Sequence, residues 1–435
     1  MQSEVPSPNP PETTRSLPPV APPSGKHILQ LFLVPGLIVV ALVFAYLGWR
    51  WLTLGWYTPE AFLKKLDNPD PDVRWRAADD LAQVLLRDDG LASNPQFGLD
   101  LAERLQHALA EDLSAERSFS ERAPRLSDAE RDSERKTLEA QREYVEYLCA
   151  CLGNFMLPVG VPVLNQVILK ENEAGVDPVV LARQRRHAVY ALANLGENLQ
   201  RMDKLPAEKQ PALLAELDRE AASGQGERSD WARQSADFVR NRSSHPTTLG
   251  VDAALARCAA AQDPFLREMT AVALKYWSGE AADNARIERT LWQLQHDDGH
   301  GSEDQALAPL FHDDEGHGEA ETPLRWGLII RSQAAVSLLW RASAKVPMGE
   351  IQNLLNEQAQ LQNFRRQLPD GREEPDETVA YALIANTLAA VAECHHKDPG
   401  RNLSELRPAI EQLTKSSNAP VRTEAERTLI TLGKP

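Results

Sequence analysis

The sequence is short of the residues that announce chemistry. It has four cysteines in 435 residues, Cys149, Cys151, Cys258 and Cys394, and none has the paired spacing of a zinc site. Cys149 and Cys151 fall on opposite sides of a helical stretch, so they do not bridge easily, and a reducing compartment fits. No Walker-type glycine loop, no Gly-x-Ser-x-Gly elbow and no recognisable nucleophile pair occurs. No stretch sustains period-two alternation, so essentially no sheet is expected. Positive charge is also in deficit: 47 Lys and Arg against 63 Asp and Glu leave a formal charge of -16. In the first 26 residues Glu4 and Glu12 cancel Arg15 and Lys26, so the acid excess lies beyond them. An acidic surface repels phosphate backbones, and nucleic acid is not an expected partner.

What is present supports a large folded core, with 42% hydrophobic and 25% charged residues. Residues 1–26 form a separate tail in which Pro6, Pro8, Pro10, Pro11, Pro18, Pro19, Pro22 and Pro23 exclude regular helix and favour an extended spacer. Ile28 to Gly48 is then almost wholly apolar, with only Gln30 polar, and meets the roughly 20 residues that cross a hydrocarbon core. A single transmembrane helix is therefore expected within residues 27–52, bent near Pro35-Gly36. Trp49, Trp51, Trp56 and Tyr57 make an aromatic belt at its far boundary. Arg50, Lys64 and Lys65 follow the span while Arg15 and Lys26 precede it, so the positive-inside rule leans toward a cytoplasmic C-terminal domain.

The rest of the chain repeats one pattern. Asp67-Asn68-Pro69-Asp70-Pro71-Asp72 reads as a turn that starts a helix, with Asp70 or Asp72 accepting from its free N–H groups. Val73, Ala77, Leu81, Val84 and Leu85 then share one face, with Arg74 at its edge. The same offsets return at Val421, Arg422, Ala425, Leu429 and Leu432, at Leu266, Arg267, Thr270, Ala271 and Leu274, and at Ile330, Arg331, Ala334, Ala335 and Leu338. They return with Gln in the first apolar slot at Gln184-Arg185 and Gln141-Arg142, and in degraded form at Arg233 and Ala236. Val379 to Val391 has the helix without the arginine. Candidate first helices lie between, one of them Gly349 to Phe364, which makes about eight helical hairpins. Ser127-x-x-Glu130 is a capping-box start. A hairpin cannot bury both faces alone, so its neighbours must stack.

The acid-proline turn, the apolar-arginine pair, the small residues after it and the following leucine resemble HEAT repeats, in the bacterial form also called phycobilin-lyase HEAT-like repeats. The resemblance runs from Thr58 nearly to the end and departs from the pattern in the fourth and seventh units. It implies an all-α fold, an α-solenoid over residues 58–435 with a long concave surface. HEAT-like iron hydroxylases rely on His-Glu pairs, and this sequence has no His-Glu dipeptide. HEAT-like DNA glycosylases use a basic surface, which conflicts with the acid excess. Arg74, Arg142, Arg185, Arg233, Arg267, Arg331 and Arg422 would form a ladder. In such repeats each arginine reaches an aspartate of a neighbouring turn, with Asp70, Asp72, Asp177 and Asp263 present to receive it. The alternative is a ladder that binds a ligand.

One unit is interrupted at residues 296–322, where His296-Asp297-Asp298-Gly299-His300 is followed by His312-Asp313-Asp314-Glu315-Gly316-His317. His296, His300, His312 and His317 are candidate ligands for a divalent metal such as zinc or nickel. A solvated insertion has the same composition. The expectation from the whole chain is a single-pass membrane scaffold, non-catalytic and without cofactor, whose concave solenoid face binds another protein. The alternative is an enzyme or metal sensor, lyase-like or acting through the histidine-acid insertion.

Overall fold

A proline behind an Asx side chain starts five of the long helices. Asp70, Asn94, Asp177, Asp263 and Asn418 each sit extended at an N-cap, with a proline in the first turn and the side chain accepting from a backbone N–H of that turn. Proline loses nothing there, because the first N–H groups of a helix have no intrahelical acceptor, and the Asx oxygen satisfies one that remains. Ser127 and Glu130 close the expected reciprocal capping box.

The computed structural model describes residue 33 and residues 37–46, 58–202, 208–224, 226–242, 244–300, 323–367 and 371–433. It divides into two units, Met1–Thr58 and Pro59–Pro435. In the first, residues 37–46 are helical with exposed side chains. The proline-rich tail and about half of the expected span from Ile28 to Gly48 lie outside the described residues. Among the described residues no helix is long and apolar enough to cross a membrane.

The second unit is predominantly helical. Its first helices are α1 (Pro59–Leu66), α2 (Pro71–Leu85), α3 (Asp89–Ala92), α4 (Pro95–Arg122), α5 (Asp128–Gly153), α6 (Val161–Leu169) and α7 (Pro178–Arg201). There follow α8 (Lys209–Ala222), α9 (Glu227–Asn241), α10 (Val251–Cys258), α11 (Pro264–Leu274), α12 (Ala281–Leu294) and α13 (Pro323–Trp340). The last are α14 (Met348–Leu354), α15 (Glu357–Asn363), α16 (Glu377–Lys397), α17 (Arg407–Leu413) and α18 (Ala419–Thr431). α2, α5, α7, α11, α13, α16 and α18 pack in succession, each against the next. Each also packs on a helix just before it in the chain: α1, α4, α6, α10, α12, α15 and α17. α8 and α9 pack on each other and against α4, while α7 passes directly to α11. The pair with the degraded copy at Arg233 and Ala236 therefore stands beside the succession, where the template's two packing faces are not required.

One continuous apolar core runs through these helices. Ala77, Leu81 and Leu85 are buried as their spacing predicts, and so are Val145, Cys149 and Leu152, Leu266 and Leu274, Ile330 and Leu338, and Val421 and Ala425. Val73 is an exception at 39% exposed. Among the described residues α2 stands first in the succession, so its first turn has no earlier member of that succession to pack against. α5 and α7 approach closely at Gly153, where a Cβ would stand 2.9 Å from the Ala191 backbone. Gly153→Val is expected to cost about 1–3 kcal/mol by overpacking this contact. The check is the urea midpoint, and an unchanged midpoint would mean that the two backbones separate freely.

Beside the helices, and against an expectation of essentially no sheet, stands one small antiparallel pair, β1 (Arg365–Gln367) and β2 (Glu373–Pro375). The expected single helix from Gly349 to Phe364 is likewise two, α14 and α15, because Asn356 caps a new start by accepting from Ala359 N–H. Strands of three residues are too short to show alternation. Contacts across the pair hold them: Arg366 bonds Glu374 at 2.7 Å, and Arg325 of α13 reaches both the Arg365 carbonyl at 2.8 Å and Asp376.

Candidate functional site

The repeat arginines and the start of the insertion come together at one place. After α10 the chain turns through Ala261 and Gln262 to Asp263, the cap of α11. One turn into that helix Arg267 uses all five of its N–H groups. It grips Asp297 with two bonds of 2.7 and 3.2 Å, and donates to the carbonyls of Ala261 at 2.8 Å, Gln262 at 3.0 Å and His300 at 2.8 Å. Arg331 of α13 donates to the Asp297 carbonyl at 2.6 Å. Gly327 of α13 has no side chain where a Cβ would meet the Asp298 backbone at 2.9 Å. Residues 297–300 are thus clamped between α11 and α13, and Asp297 and Asp298 close local turns onto Gly299 N–H and His300 N–H.

The other repeat arginines find separate partners. Arg74 lies over the Tyr144 ring at 5.1 Å and near Glu111 at 3.9 Å. Arg142 pairs with Glu116 and, at 3.6 Å, with Glu139. Arg185 donates to the Ile168 carbonyl at 2.9 Å, Arg422 to the Ser416 carbonyl at 2.7 Å, and Arg233 bonds Asp230 on its own helix. The aspartates expected to receive them do otherwise. Asp70 and Asp177 cap their helices, and Asp263, also a cap, takes a bidentate pair of 2.6 and 2.9 Å from Arg186. Arg186 follows the repeat position by one residue and is buried between α7 and α11, whereas Arg185 turns toward α6. Adjacent arginines diverge by about 100° on a helix, and only the packing of α11 selects between them.

A second polar cluster escapes the repeat pattern. Asp112 and Glu116 of α4 continue the apolar stripe of Leu101, Leu105 and Ala108 inward, and both are buried. Gln184 of α7 donates to Asp112 at 2.7 Å. Arg183 bridges Glu139 at 2.5 Å and Glu146 at 3.0 Å, and His187 Nε2 lies 3.3 Å from Glu146. Asp112 Oδ1 and Arg142 Nε are buried without a hydrogen-bond partner. Burial pushes the Glu146 carboxyl up to about 7 against the pull of Arg183, and pushes Asp112 up to about 6 against Arg142 and Gln184. Burial, with Arg183 and Arg186, lowers His187 to about 4. The cluster can hold protons near neutrality, and wholly buried Asp112 is out of reach of a substrate. Carboxylates at i and i+4 in slots of an apolar stripe are the sequence signal that would have found it.

The histidines of the insertion do not converge as far as they are described. The His296 ring packs against Trp292 at 4.9 Å with Nδ1 at 2.9 Å from that residue's carbonyl, and His300 contributes its own carbonyl to Arg267. His312 and His317 lie outside the described residues. Among the described residues no group of three His, Cys, Asp or Glu side chains is arranged to hold a metal ion. All four cysteines are buried free thiols, and burial raises Cys258 to about 11, far from a reactive thiolate. An open groove of about 700 Å³ runs between α4 and α5, with His107, Glu111, Phe119, Arg122, Glu134 and Gln141 in its lining.

No family model matches the chain. No curated protein matches it. Among solved structures it aligns with the crystal structure of an engineered protein, at 14% identity over 86% of this chain and 99% of that one, with a TM-score of 0.19, which carries no argument for fold or function.

Proposed function

We propose that the chain is a membrane-tethered scaffold, a HEAT-like α-solenoid that binds another protein without catalysis. The observation that carries this reading is the succession α2, α5, α7, α11, α13, α16 and α18, each helix packed on the next and on a partner of its own. Arrays of this kind bury a continuous core between neighbours and offer an extended surface instead of a closed pocket. The repeat arginines support it as well. Arg142, Arg267, Arg331 and Arg422 are engaged in holding turns and helices, so they do not stand as a row of free cations for a ligand. The apolar run from Ile28 to Gly48 is the proposed anchor, and the excess of Arg50, Lys64 and Lys65 after it over Arg15 and Lys26 before it supports a cytoplasmic helical unit. Tethering raises the effective concentration of a partner at the membrane, so modest affinity suffices.

The test is crosslinking of the full-length chain in its native membrane, followed by affinity purification and mass spectrometry with metal analysis of the same eluate. A discrete, near-stoichiometric protein partner is expected. Deletion of residues 302–318, which spares Asp297 and His300, is expected to leave that partner bound. Recovery of the chain alone, loaded with stoichiometric zinc or nickel, would overturn the scaffold reading.

A further inference from the structure

The α4–α5 hairpin is covered unequally on its two flanks. Toward α7 it is closed: Leu113 packs with Val176, Val180 and Leu181, Arg117 pairs with Glu173 at 2.6 Å, and Gln184 donates to Asp112 at 2.7 Å. Toward α2 it is open, because α1 and α2 have 8 and 15 residues against 28 and 26 in α4 and α5. The turn between α1 and α2 reaches only the level of Arg104 and Tyr144. There Arg104 bonds Asp67 at 3.1 Å, the Tyr144 hydroxyl donates to the Leu66 carbonyl at 3.4 Å, and Arg74 stands 3.9 Å from Glu111. Beyond that level α4 runs on to Arg122 and α5 returns from Asp128, and the groove of about 700 Å³ lies along them.

The repeat itself indicates what fits there. Gln141 of α5 and Gln184 of α7 hold the same slot of the pattern. Gln184 meets α4, the first helix of the pair before its own, whereas Gln141 lines the groove and makes no hydrogen bond among the described residues. Ala110, Ser114 and Ser118 follow at four-residue spacing on the α4 wall, all exposed, so they share a face on which another helix can come as close as packed helices do. At the far end Arg122 and Glu134 pair at 2.8 Å and cancel. Glu111, 61% exposed and with only Arg74 near it at 3.9 Å among the described residues, is the open acidic charge. Granted the scaffold reading on which this rests, we propose that the groove docks an amphipathic helix of the protein partner. That helix continues the row of first helices beyond the end of α1, with small or apolar residues on Ala110, Ser114 and Ser118 and a Lys or Arg opposite Glu111. A second copy of this chain, with its formal charge of -16, is the poorer match to an acidic groove.

The full-length chain and three variants are to be purified by affinity from the native membrane, and the partner retained on each quantified and its crosslinks mapped by mass spectrometry. Ser114→Trp fills the groove, Glu111→Lys reverses its open charge, and Ser133→Trp, at an exposed position outside the groove lining, is the control. All three sites are exposed, so the urea midpoints are expected to match the parent's. Retention is expected to fall on the order of tenfold in Ser114→Trp and in Glu111→Lys and to hold in Ser133→Trp. The crosslinked stretch of the partner is expected to show apolar or small residues three and four apart and a basic residue among them. Retention undiminished in Ser114→Trp and Glu111→Lys, or equal losses in all three variants, would overturn the groove as the docking site and leave the scaffold reading standing. Crosslinks from the groove to a second copy of the chain would overturn the assigned occupant. A parent chain that retains no protein at all would remove the scaffold reading and this site with it.

Discussion

Arg267→Ala is expected to destabilise the middle of the helical unit by about 3–5 kcal/mol, the range for breaking a buried ion pair from one side. The arginine and Asp297 side chains are 6% and 10% exposed. Truncation leaves the Asp297 carboxylate buried without its cation, and leaves three carbonyls, at Ala261, Gln262 and His300, without this donor. Arg267→Lys is expected to recover little, because an ammonium cannot spread five donors in a plane across acceptors on two sides. Neighbour-only packing localises the damage. Hydrogen exchange is expected to accelerate in α10 to α13 while α2 and α5, which do not touch α11 extensively, keep their protection. Equal protection in α11 of parent and variant would show that the clamp on residues 297–300 carries no stability.

Raising the pH from 4 to 8 is expected to weaken the α4–α5–α7 region through Asp112 and Glu146. Each carboxyl titrates higher in the folded chain than in the unfolded one, moving from 3.8 to about 6 and from 4.5 to about 7. Their stabilising contribution is therefore complete below about pH 4 and is lost as the pH rises through the folded values, about 3 kcal/mol for each group. His187 acts in the opposite sense. Its folded value is lowered, so its contribution is present above 6.5 and lost as the pH falls toward 4. Its side chain is 41% exposed, however, so solvent screens it and the carboxyls set the sign. The measurement compares urea midpoints of the parent with those of Asp112→Asn/Glu146→Gln. The double variant is expected to gain on the parent between pH 5 and pH 8. Parallel profiles would show that neither carboxyl is held high.

Much of the local structure was legible. Asp70-Pro71, Asp263-Pro264 and Ser127-x-x-Glu130 are complete instructions for a helix start, since the cap side chain and the N–H groups it satisfies lie within four residues. The apolar stripes were legible for the same reason: helical spacing decides which side chains share a face, and Leu81, Leu192, Leu274 and Leu338 are all buried. The candidate site was not. Whether Arg185 or Arg186 takes Asp263, and that Arg267 takes Asp297 from 30 positions away, depends on how far each helix is rotated against its neighbour. The sheet was illegible because its register rests on contacts such as Arg325 to Asp376.

By itself, then, the sequence determined that most of the chain is helical, where its capped helices begin, and which face of each helix is apolar, because these depend on interactions within a few residues. Tertiary structure alone decided which carboxylates lose their water, which arginine meets which acceptor, that α8 and α9 leave the succession, and that the α4–α5 hairpin is closed on one flank and open on the other. Desolvation and ion pairing depend on what arrives from distant parts of the chain, and spacing along one helix carries no record of that.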